Sequence, residues 1–171
     1  MRAVRSLYEP DTWPVRALVA ASPRPRQTPP PQSLGNLVNE ISILTGGCAC
    51  GAARYKVIGE PLSVHACHCT DCQTLSGSAF GLSMVLNKSA LELTGGHIGV
   101  NKFSSSSARM HRHYCSDCGT ALWFSSPEYE GIVALKPGTL DDTSSLRPIA
   151  HMWYRSPQPW LKVGKDVPIF Q

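Results

Sequence analysis

The chain contains little charge and lacks the long apolar segments of membrane proteins. Only 16% of its 171 residues are charged, against about 25% in an average globular protein. No apolar run approaches the roughly 18 residues needed to cross a membrane, and residues 17–21 are too few for the apolar part of a secretory signal peptide. We therefore expect a protein with a modest core, which metal crosslinks would help, and with no membrane anchor.

Several catalytic and binding motifs are also absent. No histidine is followed two residues later by glutamate, and neither C-x-x-C follows a proline, which excludes the zinc deaminase signature. H-E-x-x-H, G-x-S-x-G, the Walker loop and the dinucleotide fingerprint are missing as well. From residue 41 onward the chain has eleven basic and nine acidic residues and no basic cluster, which weighs against nucleic-acid binding.

The amino-terminal forty residues differ from the rest of the chain. They hold five of the sixteen basic residues, and prolines interrupt the stretch from residue 22 to residue 33, which is typical of an extended linker. An organelle transit peptide is one interpretation of an arginine-rich start. We favour a flexible tail or an upstream start codon, and expect a Pro/Arg-rich extension at residues 1–40 followed by one domain at 41–171.

From residue 41 the sequence predicts a mostly β domain with short helices. Turn residues such as glycine, proline and asparagine separate short apolar or alternating segments, and no window of about twelve residues holds a helical period. One short helix is expected after Cys69, capped by Thr70 or Asp71. The predicted strands are Ala53–Ile58, Ser63–Ala66, Ala79–Leu86, Ala90–Leu93, Val100–Ser104, Met110–Tyr114, Ala121–Phe124, Gly131–Leu135 and Ile149–Tyr154.

The chain does contain seven cysteines, grouped in three tight clusters. An odd number and spacings of two residues argue against a disulfide framework, and favour metal ligands in a reducing compartment, for which we predict the cytoplasm. A structural zinc site takes four protein ligands, and a catalytic site takes three and keeps one position open. The seven thiols therefore predict one zinc site of each kind. The clusters are Cys48 and Cys50; Cys67, Cys69 and Cys72; and Cys115 and Cys118.

The two outer pairs are assigned to a closed structural zinc. Gly119, directly after a C-x-x-C segment, permits the positive φ that a tight metal-binding turn requires. Gly46, Gly47 and Gly51 flank the other pair, and we expect them to let the backbone turn closely around the ion. The predicted ligands of this site are Cys48, Cys50, Cys115 and Cys118.

The triplet is assigned to a reactive zinc. Cys67, Cys69 and Cys72 would cover one face of a tetrahedron and leave its fourth vertex free for another thiolate or an aldehyde adduct. Three alternatives remain open. His65 or His68 could close the site, since imidazole is a common zinc ligand; an iron–sulfur cluster is an all-thiol possibility, although the ferredoxin spacings are absent; and one zinc could leave the other thiols merely buried.

Three further residues are candidates for a substrate pocket. Gln73 follows the last triplet cysteine and can form hydrogen bonds near the open vertex. Trp153 and Trp160 could wall a pocket above the metal, although packing in the core is the usual role of tryptophan. We predict Gln73, Trp153 and Trp160 as pocket residues.

The cysteine motifs resemble one known family. The segments that carry the resemblance are Gly46-Gly47-Cys48-x-Cys50-Gly51-x-x-Arg54-Tyr55, Cys67-His68-Cys69-x-x-Cys72-Gln73, Tyr114-Cys115-x-x-Cys118-Gly119 and, later, His151-x-Trp153 and Pro159-Trp160. They are similar to the glutathione-dependent formaldehyde-activating enzymes, a family that includes centromere protein V. The resemblance spans roughly residues 44–170. It implies a β-tent fold, a structural zinc on the outer pairs and a reactive zinc on the triplet.

The family name implies the addition of glutathione to formaldehyde, which is formally a carbon–sulfur lyase reaction. We therefore expect a lyase-type enzyme with two zinc ions that acts on a small thiol or on a thiol–aldehyde adduct such as S-hydroxymethylglutathione. The alternative is a non-catalytic zinc module that binds protein or nucleic acid. An accessible metal vertex favours the enzyme, and a histidine-capped vertex favours the module.

Overall fold

The chain is built mainly from short β-strands in a computed structural model that describes residues 42–105, 108–164 and 166–171. The extension predicted at residues 1–40 lies outside these ranges. The expected mostly β architecture is confirmed, and each of the nine predicted strands overlaps an observed one. The elements are β1 (Ile43–Gly47), β2 (Arg54–Ile58), β3 (Ser63–Cys67), α1 (Thr70–Ser76), β4 (Gly81–Asn87), β5 (Leu91–Gly95), β6 (Ile98–Ser104), β7 (Arg109–Cys115), β8 (Ala121–Ser125), β9 (Ile132–Leu135) and β10 (Ala150–Met152), with 3-10 turns at Lys88–Ala90 and Pro137–Thr139.

The strands form two sheets. A small antiparallel sheet has the order β1-β2-β5, and a larger one has the order β10-β3-β4-β9-β8-β7-β6. All neighbours in the larger sheet are antiparallel except β10, which runs parallel to β3. A parallel neighbour requires a crossover connection. The segment after β9 therefore crosses to the far edge and brings the carboxyl-terminal residues beside β3.

The core lies between the two sheets. Successive strand residues point to opposite faces, so β2 buries Tyr55 and Val57 and exposes the residues between them. These side chains join Leu86, Leu122 and Leu135 of the larger sheet in one buried cluster. Two of the cysteines, Cys48 and Cys115, belong to the same cluster, so the outer thiol pairs are continuous with the core.

Most predicted strand boundaries shift by one or two residues, and the helix cap and the end of the last strand have clear physical reasons for the difference. The helix α1 is capped by Cys69, whose sulfur accepts a hydrogen bond from the amide of Cys72 at 3.4 Å, and not by Thr70 or Asp71. The last strand, β10, stops at Met152 because Trp153 has a φ of 54°, which is left-handed backbone that cannot continue a strand. Among the described residues, no helix is both long and apolar enough to cross a membrane.

The glycines before the first cysteine pair act differently from what was expected. Gly46 and Gly47 do not turn around a metal; they belong to β1, a strand that the sequence did not predict. A methyl group on Gly46 would clash with the Tyr55 ring and come within 2.6 Å of the Thr139 carbonyl oxygen. Of the three glycines that flank this cysteine pair, only Gly51 has positive φ, at 85°. Gly46 therefore serves close packing of Tyr55, and Gly47 leaves room for the start of β2; neither turns the backbone around a metal.

We predict that Gly46→Ala destabilises the protein by roughly 2 kcal/mol or more, because the added methyl group overpacks a filled site. Gly138→Ala is the matched control, since nothing lies within 4 Å of a methyl group there and its φ is not positive. Denaturant unfolding of both variants would measure the difference. Equal stability of the two variants would contradict the packing role given to Gly46.

Candidate metal centres

Four thiols from distant parts of the chain meet at the first candidate centre. Cys48 and Cys50 follow β1, whereas Cys115 ends β7 and Cys118 lies in the turn before β8. All four sulfurs lie within 4.8 Å of one another, with 3.3 Å between the first pair and 3.8 Å from Cys50 to Cys115. Sulfurs bound to one tetrahedral zinc are about 3.8 Å apart, so this group fits a zinc ion.

The turn between β7 and β8 is shaped to present its two thiols. Gly119 has a φ of 74°, as its position predicted, and its amide donates to the Cys115 carbonyl at 2.9 Å. The Thr120 hydroxyl lies 3.1 Å from the Cys118 sulfur, and hydrogen bonds from this hydroxyl and from the amides of Thr120 and Cys50 lower the pKa of Cys118 to about 5. The same hydroxyl accepts from the amide of Ala49 at 3.1 Å. Thr120 therefore connects the turn that carries Cys118 to the turn that carries Cys48 and Cys50.

The triplet forms the second candidate centre. Cys67 ends β3, Cys69 caps α1 and Cys72 lies in the first turn of α1, and their sulfurs all lie within 4.8 Å of one another. The sulfurs of Cys67 and Cys69 are 3.4 Å apart. A methyl group on Gly81, which pairs with Cys67 across β3 and β4, would lie 3.1 Å from the Cys72 Cβ. The small residue at position 81 thus leaves room for α1 to approach the sheet.

The triplet thiols share protons through hydrogen bonds to one another, which is compatible with a metal site. A hydrogen bond from the Cys72 thiol lowers the pKa of Cys67 to about 6, and the pKa of Cys72 itself is raised by the same partner. Thiols must lose their protons to bind a metal, and a divalent cation would take the place of the shared protons. The thiol-only donor set suits zinc.

No histidine nitrogen joins the triplet in any of the three described ranges. His68 is fully buried and its Nε2 lies 2.9 Å from His151 Nδ1, which directs this side chain to β10. Its ring also packs edge-on against Tyr154, with centroids 4.9 Å apart. The closed site with His65 or His68, left open by the sequence, is therefore not the arrangement found. His68 instead ties the carboxyl-terminal segment to the triplet strand.

Gln73, which follows Cys72 directly, lies in a hydrogen-bonding network next to the triplet. Its amide nitrogen donates to the carbonyls of His68 at 2.6 Å and Ser156 at 2.7 Å. Its amide oxygen accepts from Gln158 at 2.6 Å. The side chain thereby fastens α1 to the segment after β10. This network was not expected from the sequence, and substrate contact by Gln73 stays a prediction.

The two candidate tryptophans occupy different environments. Trp160 lines a cavity of about 520 Å³ together with Gln73, Gln158 and residues 74 and 77–79 of the helix end. Trp153 lies outside that lining, and the guanidinium of Arg155 stacks on its ring at 4.4 Å. The structure therefore brings Trp160, but not Trp153, together with Gln73.

One charged residue near the triplet was missed from the sequence. Lys136 follows β9, and its half-buried ammonium group lies 4.8 Å from the centre of the Phe124 ring. Burial lowers the pKa of Lys136, whereas thiolates at Cys72 and Cys67 oppose that change. The only signal in the sequence was a lone lysine between the apolar run 132–135 and Pro137.

The fold and the two thiol groups define a mostly β protein with two cysteine groups that could hold metal ions. Over residues 43–156 the chain matches the family model described as glutathione-dependent formaldehyde-activating enzyme. The chain belongs to this family, and the resemblance drawn from the cysteine motifs is confirmed. The match includes all seven cysteines and ends before Trp160.

Similar proteins include two curated relatives and one solved structure. A Halomonas elongata protein, provisionally named as a glutathione-dependent formaldehyde-activating enzyme, is 24% identical over 71% of this chain and 81% of its own length. An uncharacterized lyase of Schizosaccharomyces pombe is 33% identical over 46% of this chain and 55% of its own. A crystal structure of a Rhodobacter sphaeroides protein aligns with a TM-score of 0.45 and 18% identity, over 56% of this chain and 85% of that one.

We predict that the purified protein holds up to two zinc ions per chain, one for each thiol group, and that a chelator removes one of them first. The three-thiol centre should lose its ion first because it has one protein ligand fewer. Elemental analysis during stepwise chelation would count the ions. One ion per chain at full occupancy that resists chelation would contradict the two-centre arrangement.

Proposed function

We propose that the protein is a zinc-dependent carbon–sulfur lyase-type enzyme that acts on thiol–aldehyde adducts, with S-hydroxymethylglutathione as the reference substrate. The observation that carries the proposal is the convergence of Cys67, Cys69 and Cys72 without a fourth protein ligand among the described residues. Catalytic zinc sites have this composition, with three protein ligands and one exchangeable position. Membership of the family supports glutathione and formaldehyde as the reactants.

A zinc ion at the triplet would supply a Lewis acid that keeps a bound thiol deprotonated at neutral pH. The reaction needs no oxidant or reductant. In the adding direction the thiol sulfur forms a bond to the carbonyl carbon, the C=O π bond breaks, and the thiol proton ends on the carbonyl oxygen. In the reverse direction the carbon–sulfur bond breaks and the proton returns to sulfur, which is the lyase step.

The protein itself holds the three sulfurs in place and positions the residues of the proposed substrate pocket. The end of β3 holds Cys67, and α1 holds Cys69 and Cys72, so the sulfur positions depend on regular elements rather than on a loop. The amide of Gln73 fastens this helix to the segment that carries Trp160. We propose that the cavity lined by Gln73 and Trp160 receives the part of the substrate away from the reacting sulfur.

The four-thiol group has a structural role in this proposal. Cys48 and Cys115 are fully buried within the core cluster. A zinc ion bound by four thiolates is coordinatively saturated and has no position for a reactant. We propose that this ion holds the two sheets together. Because we propose all seven cysteines as metal ligands, we place the protein in the reducing cytoplasm, with residues 41–171 as the zinc-binding unit.

We predict that Cys115→Ser costs more than about 3 kcal/mol of unfolding free energy, because metal binding contributes directly to folding. Cys69→Ser should cost less than about 1 kcal/mol, since serine is itself a good helix cap, and should abolish lyase activity. Ser116→Ala is the control, an exposed change between the outer ligands. Denaturant unfolding and metal analysis would separate the two classes; equal losses would contradict the division.

A direct test of the chemistry uses cobalt in place of zinc, because a fourth sulfur ligand changes the visible absorption of cobalt. We predict a spectral change when glutathione is titrated into the cobalt protein, and a further change when formaldehyde is added. Cys69→Ser is the control that keeps the four-thiol group intact and should show neither change. A response to other thiols but not glutathione would retain the lyase and discard its named substrate. No response to any thiol would favour the non-catalytic module.

A further inference from the structure

Lys136 lies on the same face of the larger sheet as the triplet. Leu135 points into the core and is fully buried, so the extended backbone at Lys136 directs its side chain to the opposite face. Phe124, which pairs with Ala134 across β8 and β9, lies on that face too, and its ring holds the lysine ammonium at 4.8 Å. In β3 the same alternation points Ala66 toward the core and Cys67 toward the opposite face of the sheet.

The lysine ammonium reaches the strand on which the triplet rests. Its Nζ donates to the Leu82 carbonyl at 3.4 Å. Leu82 follows Gly81, and Gly81 is both the partner of Cys67 across the strands and the residue against which Cys72 packs. The ammonium group of Lys136 therefore binds the β4 residue next to Gly81, and Gly81 is the residue that pairs with Cys67 and lies against Cys72.

The triplet thiols, which must lose their protons to bind a metal, are the acidic groups that interact with this charge. The ion pairs found within residues 42–105, 108–164 and 166–171 are Arg54–Asp141 and Arg109–Glu128, so Lys136 has no carboxylate partner in those ranges. The other ionisable side chains that interact with it, Arg112 and His65, are basic. A half-buried charge requires an opposite charge or hydrogen bonds to offset its desolvation. The groups that can offset the charge of Lys136 are therefore the Leu82 carbonyl, the Phe124 ring and the sulfurs of the triplet.

We propose that Lys136 sets the ligand preference of the three-thiol centre: its positive charge favours an anionic fourth ligand, a thiolate, over a neutral one. The inference rests on the proposed function, since it takes the centre to hold a divalent ion with a free position. Three thiolates and a divalent ion carry a net charge of −1. A fourth thiolate raises this to −2, whereas water or imidazole leaves it unchanged. A fixed cation beside the sulfurs therefore stabilises the thiolate-bound state more than the neutral-bound state.

The test compares an anionic ligand and a neutral ligand on the full-length, cobalt-loaded protein. 2-Mercaptoethanol, which binds as a thiolate, and imidazole are titrated separately at one fixed pH, and visible absorption gives both dissociation constants. Lys136→Met should weaken 2-mercaptoethanol binding by about tenfold or more, with less than about a twofold change for imidazole. Lys136→Arg keeps the charge and should keep the thiolate preference. Lys102→Met, which removes an exposed lysine of the same sheet, is the matched control.

The outcomes separate this inference from the proposed function. If the wild type binds neither ligand, the open centre itself is wrong and both proposals fail. If the wild type binds the thiol and Lys136→Met binds it equally well, only the role of Lys136 is overturned. Equal weakening of both ligands would show a structural effect and would also overturn it. Should Lys136→Met fail to take up cobalt, Lys136→Gln removes the same charge with a polar side chain and the same criteria apply.

Discussion

The convergence of four cysteines on one point is the constraint on which the rest of the structure depends. The sulfurs of Cys50 and Cys115 lie 3.8 Å apart although 65 residues separate them in the chain. One pair belongs to the turn that follows β1 in the small sheet, and the other belongs to the β7–β8 turn of the larger sheet. Joining two turns from different sheets fixes how the sheets face each other. The core cluster, which includes Tyr55 and Leu122, fills the space enclosed by that junction.

The triplet centre depends on a different long-range attachment. Its three cysteines are local in sequence, but part of what surrounds them comes from more than eighty residues later in the chain. His68 bonds to His151, and Gln73 bonds to Ser156 and Gln158. The parallel pairing of β10 with β3 makes these contacts geometrically available. This part of the surroundings is therefore assembled only when the last strand has docked, whereas the three thiols themselves lie within six consecutive residues.

Sequence reasoning identified what depends on residue type and spacing. Thiol counts and the C-x-x-C segment gave both ligand groups, and Gly119 was expected to have positive φ, as it does. The strand at Ile43–Gly47 was missed because its two glycines were interpreted as part of a metal loop. Gly46 makes room for the Tyr55 ring, which lies nine residues away in the chain and across the sheet, and no local pattern contains that information.

The environment of the site was the least predictable part. The hydrogen bonds of Gln73 and the position of Lys136 depend on which strands become neighbours, and strand order is a tertiary property. Trp153 illustrates the same limit, because its left-handed backbone ends a strand that the sequence pattern continued. Local chemistry was therefore predictable, and the side chains that surround it were not.

The double use of Cys69 has a consequence for how this family can diverge. The same sulfur caps α1 and belongs to the triplet. A cysteine codon becomes a serine codon by a single nucleotide change, and serine would continue to cap the helix. A gene could thus lose the three-thiol group in one mutational step while its product keeps the helix cap and the surface around it. Relatives that have lost the triplet would then be free to take on a purely binding role. The presence or absence of the individual cysteines would identify such relatives more reliably than overall sequence similarity would.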